Sequence, residues 1–314
     1  MTSVLRLGTR RSPMAMEQSR QVAAAITRLT GREVDLVGIT SKGDVSSAPL
    51  TQIGGTGVFV SALRTALLTG QVDFAVHSLK DLPTGPAEGI ALAAVPARDD
   101  PRDALLAAGG VKLADLAPGA RIGTGSPRRA AQLLMLRSDL MPVPVRGNAD
   151  TRLAKVESGD LDAVVLAYAG LARIGRLDAV TQVFEPDEMV PAAGQGALAV
   201  ECPASREDLV ALLGCVDDPA SRAATTAERS LLGALQAGCS APVGAYAAGT
   251  EVLRLRGVVV AADGGMALRG SASGPPAMAE AIGQQVASEL LSRGAGRYTA
   301  VPGQGHISSG DDDK

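Results

Sequence analysis

"LGTRRSP" (Leu7–Pro13) and "IGTGSP" (Ile122–Pro127) decide how this chain folds, because the same grammar is written twice. Each reads as an apolar strand, a Gly-Thr turn, a serine placed to cap a helix and a proline at the first helical position, where its missing N–H and fixed φ suit a helix start. Outward from the first copy, "VLRLG" (Val4–Gly8) predicts a strand and Pro13 to about Leu29 a helix with Ser12 as its cap. "EVDLVGIT" predicts the next strand, "VFVSALRTALL" a helix ended by Gly70, and "VDFAVHS" another strand. Beyond the second copy, "GDLDAVVLAYAGL" from Gly159 lines up with "GQVDFAVHSLKDL" from Gly70. The pattern predicts two similar α/β lobes around mainly parallel sheets. Such lobes bind ligands beyond the carboxyl ends of their strands, and here each aims a capped helix N-terminus at that place, where free N–H groups favour an anion.

After about Asp217 the texture changes. A helix in "AATTAERSLLGALQ" (Ala223–Gln236), strands in "VGAYAAG", "VLRLRGVVVA" and "MALRGSAS", and a last helix from about Pro276 to Ser292 predict a smaller α+β domain with antiparallel strands. "GQGALAVECP" (Gly194–Pro203) lies between lobes and is expected to return to the first as a strand. The expected units are lobe 1 at 1–97 with 196–216, lobe 2 at 98–195, a third domain at 217–302 and a disordered tail at 303–314. The polar, glycine-rich loop at 41–57 reads either as a mobile lid or as a plain connection; its "GGTG" lacks the lysine of a phosphate-binding loop.

A chain of 314 residues that is 46% hydrophobic can bury several cores. No early segment reads as a secretory leader and no apolar run is long enough for a bilayer, so a soluble cytosolic protein is expected. The net charge of −3 hides a basic segment. Arg121, Arg128, Arg129, Arg137, Arg146, Arg152 and Lys155 face only Asp139 and Asp150, and all but five of the 30 basic residues are arginine. Its planar fork suits carboxylate or phosphate. With no Trp, three Tyr and three Phe, the chain lacks stacking platforms for single-stranded bases, and a small polycarboxylate or phosphorylated ligand fits better than nucleic acid.

Two histidines, His77 and one in the tail, give neither a nucleophilic triad nor a metal site. His77 reads as a packed histidine at a strand end. Asp81, in "HSLKDLP", sits where ligand-facing residues collect, but equally suits a turn cap before Pro83 with Lys80 as a solvated partner. Cys202 and Cys215 read as small core residues. Cys239 differs: it stands between Gly238 and Ser240 in "QAGCSAPVGAY", a loop setting that exposes sulfur, and without a neighbouring histidine it suits covalent attachment more than proteolysis.

With "LGTRRSP", "GGTGVFVSALR", "AVHSLKDLPT", "IGTGSPRRAAQL", "VRGNADTRLAKV", "AYAGLAR", "PAAGQGALAVE" and "AGCSAPVGAYA" in order, the chain closely resembles the porphobilinogen deaminase (hydroxymethylbilane synthase) family of tetrapyrrole biosynthesis from about Leu5 to the end of the third domain. The resemblance implies two lobes like periplasmic binding proteins with a cleft between them, plus a cysteine-bearing third domain. It implies a dipyrromethane cofactor on Cys239 through a thioether, four porphobilinogen units added in turn with loss of ammonia, and no metal. It implies Asp81 as the catalytic carboxylate. Lys80, Asp81, Thr124, Ser126, Arg128, Arg129, Arg152 and Arg173 match cofactor-binding positions, and Arg10, Ser12, Arg146, Arg152 and Arg173 match substrate-binding ones. The chain departs from the family at Thr56 and Ser61, where many members carry lysines. Family precedent implies a monomer without a nucleic-acid or membrane partner. The rival expectations are a non-enzymatic bilobal solute binder, which leaves Cys239 unexplained, and a nucleic-acid binder, whose affinity would fall steeply with salt.

Overall fold

The computed structural model describes residues 4–40, 57–238 and 241–299. The expected lid at 41–57 apart from Gly57, Cys239 with Ser240, and the expected tail lie outside the described residues. In chain order the first lobe runs β1 (Leu5–Arg10), α1 (Pro13–Thr30), β2 (Val34–Ile39), α2 (Gly57–Leu68), β3 (Phe74–Ser78), a 3-10 turn (Leu79–Asp81) and β4 (Ile90–Ala94). The second runs β5 (Asp103–Ala107), β6 (Arg121–Gly123), α3 (Pro127–Leu136), β7 (Met141–Val143), α4 (Ala149–Glu157), β8 (Ala163–Ala167), α5 (Tyr168–Arg173) and β9 (Gln182–Phe184). The chain then returns through β10 (Leu198–Pro203) and α6 (Glu207–Leu213), and ends in α7 (Pro219–Ala234), β11 (Val243–Ala248), β12 (Leu253–Val260), β13 (Ala267–Gly274) and α8 (Ala279–Ser292).

The two larger sheets have orders β2-β1-β3-β10-β4 and β7-β6-β8-β5-β9. They are the same sheet built twice. In each, two parallel pairings flank a strand (β1 or β6), and one strand runs against the rest (β10 or β5). That reversed strand is in both cases the one on which the chain enters from the other lobe, so the crossing itself dictates its direction.

Repetition extends to side chains. The Ser12 hydroxyl accepts from Ala15 N at 3.3 Å and that of Ser126 from Arg129 N at 3.4 Å, each followed by proline at the first helical turn. Arg6 N and Arg121 N donate to Asp73 at 2.8 Å and Asp162 at 2.6 Å. The Gly of each Gly-Thr pair is required by close approach: a Cβ on Gly8 would stand 2.9 Å from Val72 Cγ2, and one on Gly123 2.5 Å from Leu161 Cδ1.

Helices cover both faces of each sheet, as buried mainly parallel sheets require. In lobe 1, Val22 and Ile26 of α1 pack with Leu7, Phe74 and Val200 on one face, while Leu63 and Leu67 of α2 pack with Ile39 and Ala75 on the other. Each such side chain, fully buried, contributes about 1.5 to 3 kcal/mol. His77 is packed as expected, with Nε2 3.2 Å from Glu201 Oε2, and Arg64 completes the cluster at 2.6 Å from Glu201 Oε1. Burial works against ionisation of Glu201, but the bonds and charges of His77 and Arg64 prevail and hold its pKa at about 2. Cys202 is a core residue; Cys215 is not. It is exposed on a 3-10 turn (Gly214–Val216) that connects α6 and α7, where Val216 rather than the cysteine packs against the lobe 1 core.

The third domain is an antiparallel meander, β11-β12-β13, backed by α7 and α8. Helix α7 starts earlier than its apolar pattern predicts because Asp218–Pro219 repeats the cap-proline grammar, Asp218 accepting from Ser221 N at 2.8 Å. The last helix instead opens with a 3-10 turn at Pro276–Met278.

Two segments cross between the lobes, and they approach so closely that a Cβ on Gly196 would stand 2.4 Å from Asp99 O; the positive φ of 87° there also favours glycine. From α7, fully buried Glu228 grips both crossings. It receives Arg98 Nη1 at 2.6 Å and Nη2 at 3.0 Å, Gly194 N at 2.7 Å and, from the meander, Ala247 N at 2.8 Å. Removing one partner of a buried pair leaves the other charge uncompensated. Glu228→Gln is therefore expected to destabilise the protein by about 3 kcal/mol, seen as a lowered denaturation midpoint in urea, whereas an unchanged midpoint would mean the pair contributes nothing net.

Candidate active site

The duplicated helix starts point into one cleft. Arg10 at the end of β1 and Ser12 at the start of α1 line a cavity of about 680 Å³ with Lys80 from the turn after β3. Lobe 2 supplies Arg129 from α3, Arg146 from the loop before α4, Arg152 from α4 and Arg173 from α5. A smaller cavity of about 200 Å³ adjoins it through Lys80 and Arg129, and is lined also by Asp81, Ser126 and Arg128. Gly238 and Ala241 line the same small cavity, so the chain on either side of the undescribed Cys239 and Ser240 borders it. Thr124 lines neither; it is buried, and its hydroxyl accepts from Ser126 N at 3.2 Å, bracing the cap of α3.

Arg128 and Arg129 are adjacent, buried and at the positive end of α3, an arrangement that repels itself. Asp103, fully buried at the start of β5, offsets it: Oδ2 receives Arg128 Nη1 at 2.7 Å and Oδ1 receives Arg129 Nε at 2.8 Å. Burial opposes the Asp103 charge, but the two guanidinium groups hold its carboxyl far below the ordinary range. Arg128 Nη1 also donates to Val190 O at 2.8 Å and Arg129 Nη1 to Val165 O at 3.1 Å.

Gln195 joins this cluster to lobe 1. Its Nε2 donates to Asp103 Oδ1 at 2.9 Å and Pro101 O at 2.7 Å, while its Oε1 accepts from Arg129 Nη2 at 3.4 Å and Lys80 Nζ at 3.3 Å. Lys80 is thus directed inward and is not the solvated partner of a turn carboxylate. Burial and then the charge of Arg129 push its pKa down to about 8, against the pull of Asp81 and Asp103.

Among the described residues that line the two cavities, cationic side chains outnumber carboxylates. Burial holds Arg129 below its ordinary value; Arg152 is lowered by burial and then by Arg129. Arg173 is lowered by burial, though Asp99 opposes this; its Nε donates to Asp99 Oδ2 at 2.9 Å and its Nη2 to Gly196 O at 2.7 Å, both on the crossing segments. Arg128 Nε is buried with no hydrogen-bond partner among the described residues. A ligand carrying several carboxylates fits such a lining. Among the described residues no group of three or more His, Cys, Asp or Glu could hold a metal, and no helix is long and apolar enough to cross a membrane.

Sequence reading missed Asp103 and Gln195. Asp103 had a signal, a lone charge opening the apolar strand "DALLA"; Gln195 stood inside a quoted motif, but nothing local gives a glutamine four partners so distant in sequence.

Residues 5–211 match the family described as "Porphobilinogen deaminase, dipyromethane cofactor binding domain", and residues 223–292 the porphobilinogen deaminase C-terminal domain. A porphobilinogen deaminase of Thermobifida fusca is 59% identical over 98% of this chain and 99% of its own length. Porphobilinogen deaminase 1 of Streptomyces coelicolor is 56% identical over 93% of this chain and 96% of its own. Among solved structures, the methionine binding protein MetQ overlaps 67% of this chain and 88% of its own at 11% identity, with a TM-score of 0.44, too loose a likeness to carry argument.

The lowered Lys80 pKa has a sign that can be measured. The folded state gives up this proton before the unfolded chain does, so the cost of burying the ammonium is full below about pH 8 and fades as pH rises toward the ordinary value of 10.5. In the ligand-free protein, Lys80→Met is expected to be more stable than wild type at neutral pH, with the gap closing between about pH 8 and 10.5 in parallel thermal melts. A gap independent of pH would contradict the shift.

Proposed function

The chain belongs to the porphobilinogen deaminase family, and on that premise we propose that its cleft condenses four porphobilinogen molecules head to tail into hydroxymethylbilane, releasing four molecules of ammonia, on a dipyrromethane primer held by Cys239. The observation that carries this reading is the convergence of Arg10, Arg129, Arg146, Arg152 and Arg173 with Lys80 on one cavity, with Asp81 in the cavity that adjoins it. Each porphobilinogen ring carries an acetate and a propionate. Charge-assisted bonds to these, worth roughly 1.5 to 3 kcal/mol each, suit a lining so rich in guanidinium groups.

The primer, when bound, supplies a nucleophilic pyrrole carbon; the remaining work falls to the chain. Arg128, Arg129 and Lys80, with Ser126 at the start of α3, border the smaller cavity and would bind primer carboxylates. Arg10, Ser12, Arg146, Arg152 and Arg173 in the larger cavity would orient the incoming ring and hold the lengthening product. Asp81 would accept hydrogen bonds from pyrrole N–H groups and stabilise the positive charge that develops as the aminomethyl nitrogen leaves, then take the proton released from the ring carbon that forms the new bond. Thr124 supports the Ser126 cap and is assigned no direct contact. A final water releases the tetrapyrrole. The same reading makes the protein a cytosolic monomer, divided at 1–97 with 196–216, 98–195 and 217–302.

Intact mass under denaturing conditions tests the primer. Wild type is expected to exceed its bare chain by two linked pyrrole units, and Cys239→Ala to lose that excess; an excess that persists in the variant would place the attachment elsewhere. A protein that neither gains mass nor releases ammonia from porphobilinogen would favour the solute-binding reading. Asp81→Ala is expected to keep wild-type stability and lose at least about a hundredfold in kcat, and wild-type turnover in that variant would remove Asp81 from the chemistry.

A further inference from the structure

Arg229 follows Glu228 on α7, and it reaches a different target. Its Nη1 donates to Leu82 O at 3.0 Å and Leu79 O at 3.4 Å, and its Nη2 to Pro83 O at 2.6 Å. Leu79 opens the 3-10 turn that carries Lys80 and Asp81, and Leu82 and Pro83 follow it directly in the chain. One helical turn further along α7, a Cβ on Gly233 would stand 3.5 Å from Thr84 Oγ1, so the same face of the helix lies along residues 79–84. Leu232 lines the smaller cavity beside Asp81. From the opposite side the turn is fixed by Leu79 N, which donates to Ala197 O at 3.0 Å.

We propose that Arg229 is a positioning residue for Asp81: its guanidinium fixes the carbonyl outline of the 79–83 turn and thereby holds Asp81 in register with the chain that leaves α7 toward Cys239. The inference rests on the functional reading above and extends it to a residue outside the cleft lining. Three carbonyls in an arc match a planar fork, which an ammonium cannot reproduce. The geometry also links two parts that the chemistry needs together, because α7 ends at Ala234, shortly before Cys239 in sequence, while Asp81 belongs to lobe 1. Small displacements of a group that must meet a developing charge are costly to rate and little felt in ground-state binding.

Arg229→Gln and Arg229→Lys test this in the full chain, with the cofactor-loaded fraction read by intact mass. In both variants kcat per loaded molecule for porphobilinogen is expected to fall about 10- to 100-fold, with KM little changed. Amide exchange of peptides covering 79–84 is expected to speed up while that of β3 stays at wild-type rates. A bond that merely ties the third domain to lobe 1 would lower the denaturation midpoint and leave kcat per loaded molecule intact, and that result would overturn the proposal, as would unchanged exchange at 79–84. If the Gln variant does not fold, the Lys variant decides by the same readouts. A wild type without turnover would defeat the functional reading, and exchange at 79–84 would still decide whether Arg229 orders the turn.

Discussion

Asp103 is the group on which the site depends. Two adjacent arginines, buried at the positive end of α3, cannot share that place without a compensating charge, since desolvation alone costs several kcal/mol per ion. One carboxylate with no exposure meets both, and Gln195 satisfies its remaining capacity. Because Asp103 opens β5, the strand on which the chain enters lobe 2, the charge balance of the cleft is tied to the crossing that makes two lobes from one chain. The guanidinium groups are thereby held in place before any ligand arrives, and held dipoles and charges of this kind need no reorganisation when charge develops.

The crossings are where the parts meet. Gly196 lets the two segments touch, Arg173 of lobe 2 donates to Asp99 and Gly196 O, and Arg98 joins both crossings to α7 through Glu228. Helix α7 therefore does more than cover the meander. Its consecutive residues Glu228 and Arg229 hold the crossing segments on one side and the Asp81 turn on the other. A third domain attached by a flexible linker would leave α7 free relative to the cleft; these polar contacts tie the helix to it instead.

Cations gathered under burial repel one another, and an anionic ligand offsets that repulsion. Burial lowers Arg129, Arg152 and Lys80 alike, and the charge of Arg129 lowers the last two further. A polycarboxylate relieves that repulsion as it binds, so part of the binding free energy comes from strain the fold has already accepted. Arginine tolerates this place better than lysine because its charge persists under the same burial.

Read alone, the sequence determined the α/β lobes, their duplication, the capped helix starts, the antiparallel third domain and the positions to inspect. Those features are local: a Ser-Pro pair, a glycine or an alternating strand acts through its own backbone and its neighbours, so "LGTRRSP" and "IGTGSP" declare themselves without a partner. Eight ordered motifs extended that reading to the family. Tertiary structure decided which charges meet. It turned Lys80 toward Gln195, put Asp103 under Arg128 and Arg129, removed Thr124 from the cavity lining, left Cys215 outside the core and brought Arg229 to carbonyls roughly 150 positions earlier in the chain. The physical reason is that a charge is satisfied by whatever lies within a few ångströms of it, and a chain that crosses twice between lobes sets those distances only once it is folded.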